Sequence, residues 1–375
     1  MKIYPKPFLL LGIAFSLFLF AGCRAEMPLP TPASPAETNV PATTGGVTAS
    51  PVSSAQPHVQ AAPWPTDEWA TASPESQGMD GDRLDEMLQA AEGLGLHSLL
   101  IVRNGFIVSE TYYPPYTAET RHDMYSVTKS FVATLVGIAV DKGLFSVDNP
   151  VMDFFPERTF DNLNARKQAM QVEDLLSMAS GLNWQEGDPT YQAMYRSADW
   201  VKYVMDQPMA ADPGERFLYC SGCSHVLSAI VQTASGENTR QFAQENLFDP
   251  LGIRANWETD SQGIPIGGWG LQITPRDMAR LGYLYLHEGT WDGRQIVSSQ
   301  WIKAATQQHA DNGDGGYGFQ WWLHPDLGGY SALGRYGQTI FVQPELDLVV
   351  VTTARLDGHG PIFNLIDRYI LPAAR

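Results

Sequence analysis

Two β-rich pairs stand toward opposite ends of the part of this chain that can fold, with helical patterns between and around them. Residues 97–103 and 106–112 are rich in β-branched and aromatic side chains and are joined by Asn104-Gly105. Asn-Gly suits the left-handed backbone that a two-residue turn demands, so these runs predict a hairpin. Near the other end, residues 339–342 and 346–352 flank a Pro344-Glu345 turn. Apolar residues at helical spacing predict helices over 80–94 (closed by Gly93 or Gly95), 126–142, 172–178, 224–234, 274–287 and 362–371. Strands drawn from both ends, with helices inserted, predict an α+β fold. One antiparallel sheet is formed from the two chain ends, flanked by helices in an αβα arrangement, with an inserted helical subdomain. Apolar residues make up 44% of the sequence, enough for a sizeable core, which excludes wholesale disorder.

The first 66 residues fall outside that fold. Lys2 and Lys6 precede an apolar run over 8–20 that is short for a bilayer span and suits a secretory signal. It ends in Phe20-Ala21-Gly22-Cys23, which resembles a lipobox, with Phe20 where that pattern prefers Leu. Residues 1–23 are therefore expected to be a lipoprotein signal peptide, with Cys23 as the lipid anchor. The plain alternative is an ordinary secretory signal, which leaves the protein secreted. Residues 24–66 carry nine prolines among Ala, Thr and Ser, with no apolar periodicity. Such a stretch cannot bury enough surface to offset its ordering entropy, so a disordered linker is expected, followed by one domain over 67–375. The expected location is outside the cytoplasm, at the cell membrane. The formal charge of -17 disfavours a nucleic-acid partner.

Several chemical motifs fail on context. Gly313-Asp314-Gly315-Gly316-Tyr317-Gly318 fits a dinucleotide fingerprint but leads into Phe319-Gln320-Trp321-Trp322 rather than a helix. There is no H-E-x-x-H and no G-x-S-x-G. Cys220 and Cys223 lack a second ligand pair for zinc and form either a small disulfide loop or two free thiols. No metal or organic cofactor is predicted. What remains is Ser126-Val127-Thr128-Lys129 at the head of an apolar helix. Positions three apart share a helix face, so the Lys amine can sit against the Ser hydroxyl. A serine is a poor nucleophile until a base takes its proton, and a desolvated lysine can be that base.

With these residues in place, the sequence resembles the serine β-lactamase and penicillin-recognising superfamily, in its class C-like branch. The resemblance runs through Arg103-Asn104-Gly105, Ser126 and Lys129, and Leu175 to Leu182, with Met178 where the family has His. It continues through Pro213-Gly214-Glu215-Arg216-Phe217-Leu218-Tyr219-Cys220-Ser221 and Gly334-Arg335-Tyr336-Gly337-Gln338. Within the superfamily it is most similar to the 6-aminohexanoate-dimer hydrolases and related carboxylesterases. The resemblance implies a β-lactamase/transpeptidase-like fold and an acyl-serine mechanism on a small or oligomeric amide or ester. Ser126, Lys129 and Tyr219 would be catalytic, with a partly ionised Tyr219 phenol. The backbone N–H groups of Ser126 and Gln338 would form the oxyanion hole. Arg335, Tyr336 and Gly337 would line the substrate site, and Ser221 would hydrogen-bond either substrate or Lys129. Arg335 stands where a β-lactamase has Lys, and Ser221 where it has Asn, which weakens a β-lactamase reading. A DD-peptidase and a catalytically silent binding protein on the same scaffold are the alternatives. Trp200, Trp269, Trp321 and Trp322 are candidates for an apolar pocket, and Tyr191 and Tyr195 for its border.

Overall fold

The structure, a computed structural model, describes residues 63–375. The signal segment expected over 1–23, Cys23 included, lies outside the described residues, as does the linker up to residue 62. Six strands form one antiparallel sheet: β1 (Leu96–Arg103), β2 (Phe106–Tyr112), β3 (Trp322–His324), β4 (Gly329–Gly334), β5 (Gln338–Gln343) and β6 (Leu348–Ala354). Their spatial order is β2-β1-β6-β5-β4-β3. The first hairpin thus pairs with the last strand, Leu96 opposite Ala354 and Arg103 opposite Leu348. Asn104 and Gly105 have φ of 51° and 80°, the left-handed pair that the turn requires. The sheet expected from the two ends is present. β3 and β4 were not anticipated, because Pro325, Gly328, Gly329 and Gly334 break up their apolar alternation.

Side chains alternate across the sheet and feed two cores. Leu99, Ile101, Phe341 and Val350 share one core with helix α1 (Gly81–Ala91) and the C-terminal segment around Ile362, Ile366 and Ile370. Leu100, Val102, Ile340, Val349 and Val351 face the larger core. That core also holds α2 (Thr128–Asp141), α3 (Thr190–Arg196), α4 (Trp200–Met205), α5 (Ser221–Ser235) and α6 (Pro275–Leu286). Every residue of α2 from Thr128 to Ala139 is buried, so this helix runs through the middle of the molecule with no polar face. α6 starts where the sequence indicates: Thr274 caps it, Asp277 completes a capping box, and Pro275 takes the first helical position. Gly282 lets α6 lie close to the sheet, since a Cβ there would stand 2.6 Å from Val349 Cγ1. Among the described residues no helix is long and apolar enough to cross a membrane.

Residues just before the boundary expected at 67 make contacts with the domain. The Trp64 ring packs 5.5 Å from Tyr283 and 5.4 Å from Trp291. Arg280 Nε donates to Pro65 O at 2.8 Å, and Trp291 Nε1 to Thr66 Oγ1 at 2.8 Å. Proline content marked this stretch as part of the linker. A proline-rich segment can still dock when an aromatic ring supplies apolar area to bury.

Candidate active site

Ser126 lies in a single 3₁₀ turn, Tyr125–Val127, that runs directly into α2. Tyr125 holds a left-handed φ of 46°, a costly conformation for an aromatic residue, kept immediately beside the candidate nucleophile. Ser126 is half-buried, while Lys129 is 1% exposed. Lys129 Nζ contacts three oxygens: Ser126 Oγ at 2.9 Å, Ser221 Oγ at 2.8 Å and the Gly268 carbonyl at 2.8 Å. Burial pulls the Lys129 pKa down to about 8, against the opposing pull of the Glu186 charge. The i, i+3 spacing therefore does what it promised, although the serine sits in the tight turn before the α-helix rather than within it.

Gly268 reaches the amine because it has no side chain. A Cβ there would stand 2.8 Å from Ser221 O, and one on Gly267 would stand 2.0 Å from Ser224 O. Backbone 267–268 is thus laid directly on the first turns of α5, which carries Ser221. Cys220 and Cys223 form a disulfide across the start of α5, which decides between the two forms left open by the sequence. Met178, the residue in place of His, is buried, and its Sδ accepts from Cys220 N at 3.2 Å.

Tyr219 precedes α5, its ring centroid 4.9 Å from Lys129 Nζ. Burial raises its phenol pKa, the neighbouring Ser126 hydroxyl pulls it back in part, and the Glu186 charge raises it further. The partly ionised phenol expected from the sequence is overturned. Desolvation is the largest cause, and it favours the neutral phenol.

The residue that sequence reasoning missed is Glu186, on the exposed loop between Trp184 and α3. Its carboxylate accepts from Ser221 N at 3.0 Å, from the Ser221 hydroxyl, from Trp184 Nε1 at 2.7 Å and from the Tyr191 hydroxyl. Ser221, 2% exposed, is thereby spent between Lys129 and Glu186. Of its two expected partners the structure gives it Lys129, and its hydroxyl proton goes to Glu186. The signal available in the sequence was the Trp184-Gln185-Glu186 stretch that follows Ser180-Gly181-Leu182 in a loop expected to border the site.

The β4–β5 turn forms the opposite side. A Cβ on Gly334 would stand 2.3 Å from Met124 O and 3.3 Å from Val127 Cγ2, so this turn packs on the Ser126 turn. Tyr336 and Gly337 are both left-handed, with φ of 69° and 92°. The Gln338 side chain is tied to Ala354 and to Arg335 O, which leaves only its main chain for the site. Arg335 is exposed and lies over the Tyr336 ring, 4.6 Å from its centroid, with Arg355 at 5.7 Å and the Tyr125 ring at 5.4 Å.

The Beta-lactamase family model matches residues 82–375. The chain belongs to the beta-lactamase family. A 6-aminohexanoate-dimer hydrolase of Paenarthrobacter ureafaciens is 27% identical over 297 residues, 72% of this chain and 75% of that protein. The crystal structure of a family VIII carboxylesterase superposes with a TM-score of 0.64 at 17% identity, covering 80% of this chain and 98% of that one. A penicillin-binding protein homologue from Caulobacter crescentus gives 0.62 at 19% identity, covering 78% and 99%. At these identities the two structures establish the fold alone. Family membership makes the chain a serine hydrolase.

In this beta-lactamase family chain the candidate tryptophans divide. Trp321 is fully buried, 4.4 Å from the Tyr285 ring, and belongs to the core. Trp322 is half-buried and stacks on Tyr219 at 5.7 Å. Trp269, next to Gly268, is half-buried between Tyr191 at 5.1 Å, Tyr195 at 6.0 Å and the buried Trp200 at 6.0 Å. Aromatic surface therefore flanks the Ser126–Lys129–Tyr219 cluster on two sides.

Proposed function

We propose that the protein cleaves an ester or amide through an acyl-Ser126 intermediate, with Lys129 as general base and Tyr219 as proton donor to the leaving group. The observation that carries this reading is the 2.9 Å contact between a buried, partly deprotonatable Lys129 amine and the half-buried Ser126 hydroxyl. Ser126 Oγ bonds to the carbonyl carbon as its proton passes to Lys129 Nζ. The oxyanion is received by the backbone N–H groups of Ser126 and Gln338, each donor worth about 3 kcal/mol. Collapse breaks the bond to the leaving group, which takes the Tyr219 proton, and Lys129 returns a proton to the phenol. Water then attacks the acyl group, giving its proton to Lys129, and Ser126 Oγ departs and is reprotonated. Lys129 is favoured as base because its pKa of about 8 lies near neutral, whereas the phenol is pushed up.

Aromatic side chains on two sides support an apolar acyl or leaving group. Arg335, exposed and stacked on Tyr336, stands where a β-lactamase has Lys, and with Ser221 in place of Asn this supports the esterase or amidase reading. Labelling with a fluorophosphonate and mapping the modified peptide tests the assignment, and label on any residue other than Ser126 refutes it. Turnover of p-nitrophenyl esters against D-Ala-D-Ala peptides separates an esterase from a DD-peptidase.

Tyr219→Phe is expected to separate two substrate classes. An amide leaving group needs a proton, so its hydrolysis falls by about 10²–10³-fold. A p-nitrophenyl ester, whose leaving group departs as a stable anion, slows far less. Equal losses in kcat on the two substrates would remove Tyr219 from the donor role.

The Lys-rich start, apolar run and Cys23 support export and lipid attachment, which would hold the domain outside the cytoplasm at the end of a proline-rich tether. A Cys23→Ser protein is expected to lose both incorporation of labelled fatty acid and the membrane fraction. Retention of label by that variant would sink the anchor.

A further inference from the structure

We infer that Glu186 is a positioning residue that sets the direction of the hydrogen-bond chain Glu186–Ser221–Lys129–Ser126, so that the lone pair of Lys129 faces Ser126. This rests on the reading of Ser126 as nucleophile and Lys129 as base.

The inference comes from counting protons. The Gly268 carbonyl can only accept, so one N–H of Lys129 is committed to it. The Glu186 carboxylate also only accepts, and the single hydroxyl proton of Ser221 goes to it. Ser221 Oγ can then only accept from Lys129, which commits a second N–H. A neutral amine has two N–H groups and one lone pair. The third neighbour is Ser126 Oγ, and the lone pair is left for its proton. Without the carboxylate, the Ser221 hydroxyl is free to donate to Lys129. The lone pair is then occupied, an N–H faces Ser126, and the amine cannot accept the serine proton.

Glu186→Gln forces that reversal. One carboxylate oxygen receives Ser221 N and Trp184 Nε1, both obligate donors, so an amide NH2 cannot sit there. The other receives the Ser221 and Tyr191 hydroxyls, which can rotate to accept. The amide must therefore donate to Ser221, whose own proton is then best placed on Lys129, its other contact. Tyr191, Tyr219 and Tyr317 are the other titratable groups facing the chain from neighbouring elements. Burial raises all three phenols, so the limb near neutral belongs to Lys129.

The experiment measures kcat and KM for a p-nitrophenyl ester as a function of pH in the wild-type protein, Glu186→Gln, Glu186→Asp and Trp184→Phe, with thermal midpoints and fluorophosphonate labelling of each. Glu186→Gln is expected to lower the kcat plateau by about 10²-fold with KM little changed. Its acidic limb, where Lys129 gains a proton, moves to lower pH, because a negative charge that raised the Lys129 pKa is gone. Glu186→Asp keeps an acceptor-only group and recovers much of the rate. Trp184→Phe removes a donor from the same carboxylate without turning Ser221, and loses far less than Glu186→Gln. A Gln plateau at the wild-type level, or activity that merely slides along the pH axis, overturns the inference. So does a Trp184→Phe loss as large as the Gln loss, which would mean that loop anchoring alone matters. If the Gln protein does not fold, Asp and Trp184→Phe still decide: a folded Asp variant no better than Trp184→Phe overturns it. Wild-type protein that takes no label on Ser126 sinks the underlying functional reading instead, whatever the Glu186 variants do.

Discussion

Ser126→Ala is expected to cut kcat on every ester and amide substrate by roughly 10⁴–10⁶-fold, because no other hydroxyl can take over the covalent step. Ser126 is half-buried and lies at a turn, so the lost oxygen leaves no sizeable cavity and the thermal midpoint should barely move. Lys129 loses one of three oxygen neighbours and keeps Ser221 and Gly268. Substrate binding should persist, since the aromatic flanks are untouched. A steady-state assay alongside a thermal melt checks both halves. A folded alanine variant that still hydrolyses esters near the wild-type rate ends the acyl-enzyme mechanism.

Lys129→Met should come second, with kcat/KM reduced by about 10²–10⁴-fold. Methionine approximates the length and volume of the lysine stem, so packing within α2 survives, but the base is gone. The pH profile is the sharper readout. With Lys129 as the proposed base, wild-type activity is expected to need the neutral amine and to be lost as pH falls through about 8 and Lys129 gains its proton. In Lys129→Met that limb should vanish, leaving a low and flat residual rate. If the limb persists near 8 in the variant, some other group is the base. Stability should change modestly. The methionine leaves Ser221 Oγ and the Gly268 carbonyl short of a donor, at about 1–3 kcal/mol each, while the desolvation of a buried amine is relieved.

What could be read before the structure follows the range of each interaction. Ser126 and Lys129 were legible because their relationship is local: three positions along a turn fix a face. The Asn104-Gly105 hairpin was legible for the same reason. β6 announced itself as Leu-Val-Val-Val-Thr-Thr-Ala, a strand buried on both faces. β3 and β4 were hidden by glycines and a proline that fit the turn between them better than the strands. The state of Tyr219 was misjudged because a neighbouring charge can be guessed from a motif, whereas depth of burial is a property of the whole fold. Glu186 was invisible because nothing in its spacing relates it to Lys129. Only the laying of the loop at 184–191 against the start of α5 joins them, through Ser221.

The position of β6 governs how the protein can be made. It lies between β1 and β5, yet it follows them both in the chain. The nascent hairpin of β1 and β2 must wait for a partner encoded some 250 residues downstream, so its sheet closes late. Folding is therefore slow and non-local. Cutting the chain before residue 348 deletes a strand from the middle of the sheet rather than from its edge.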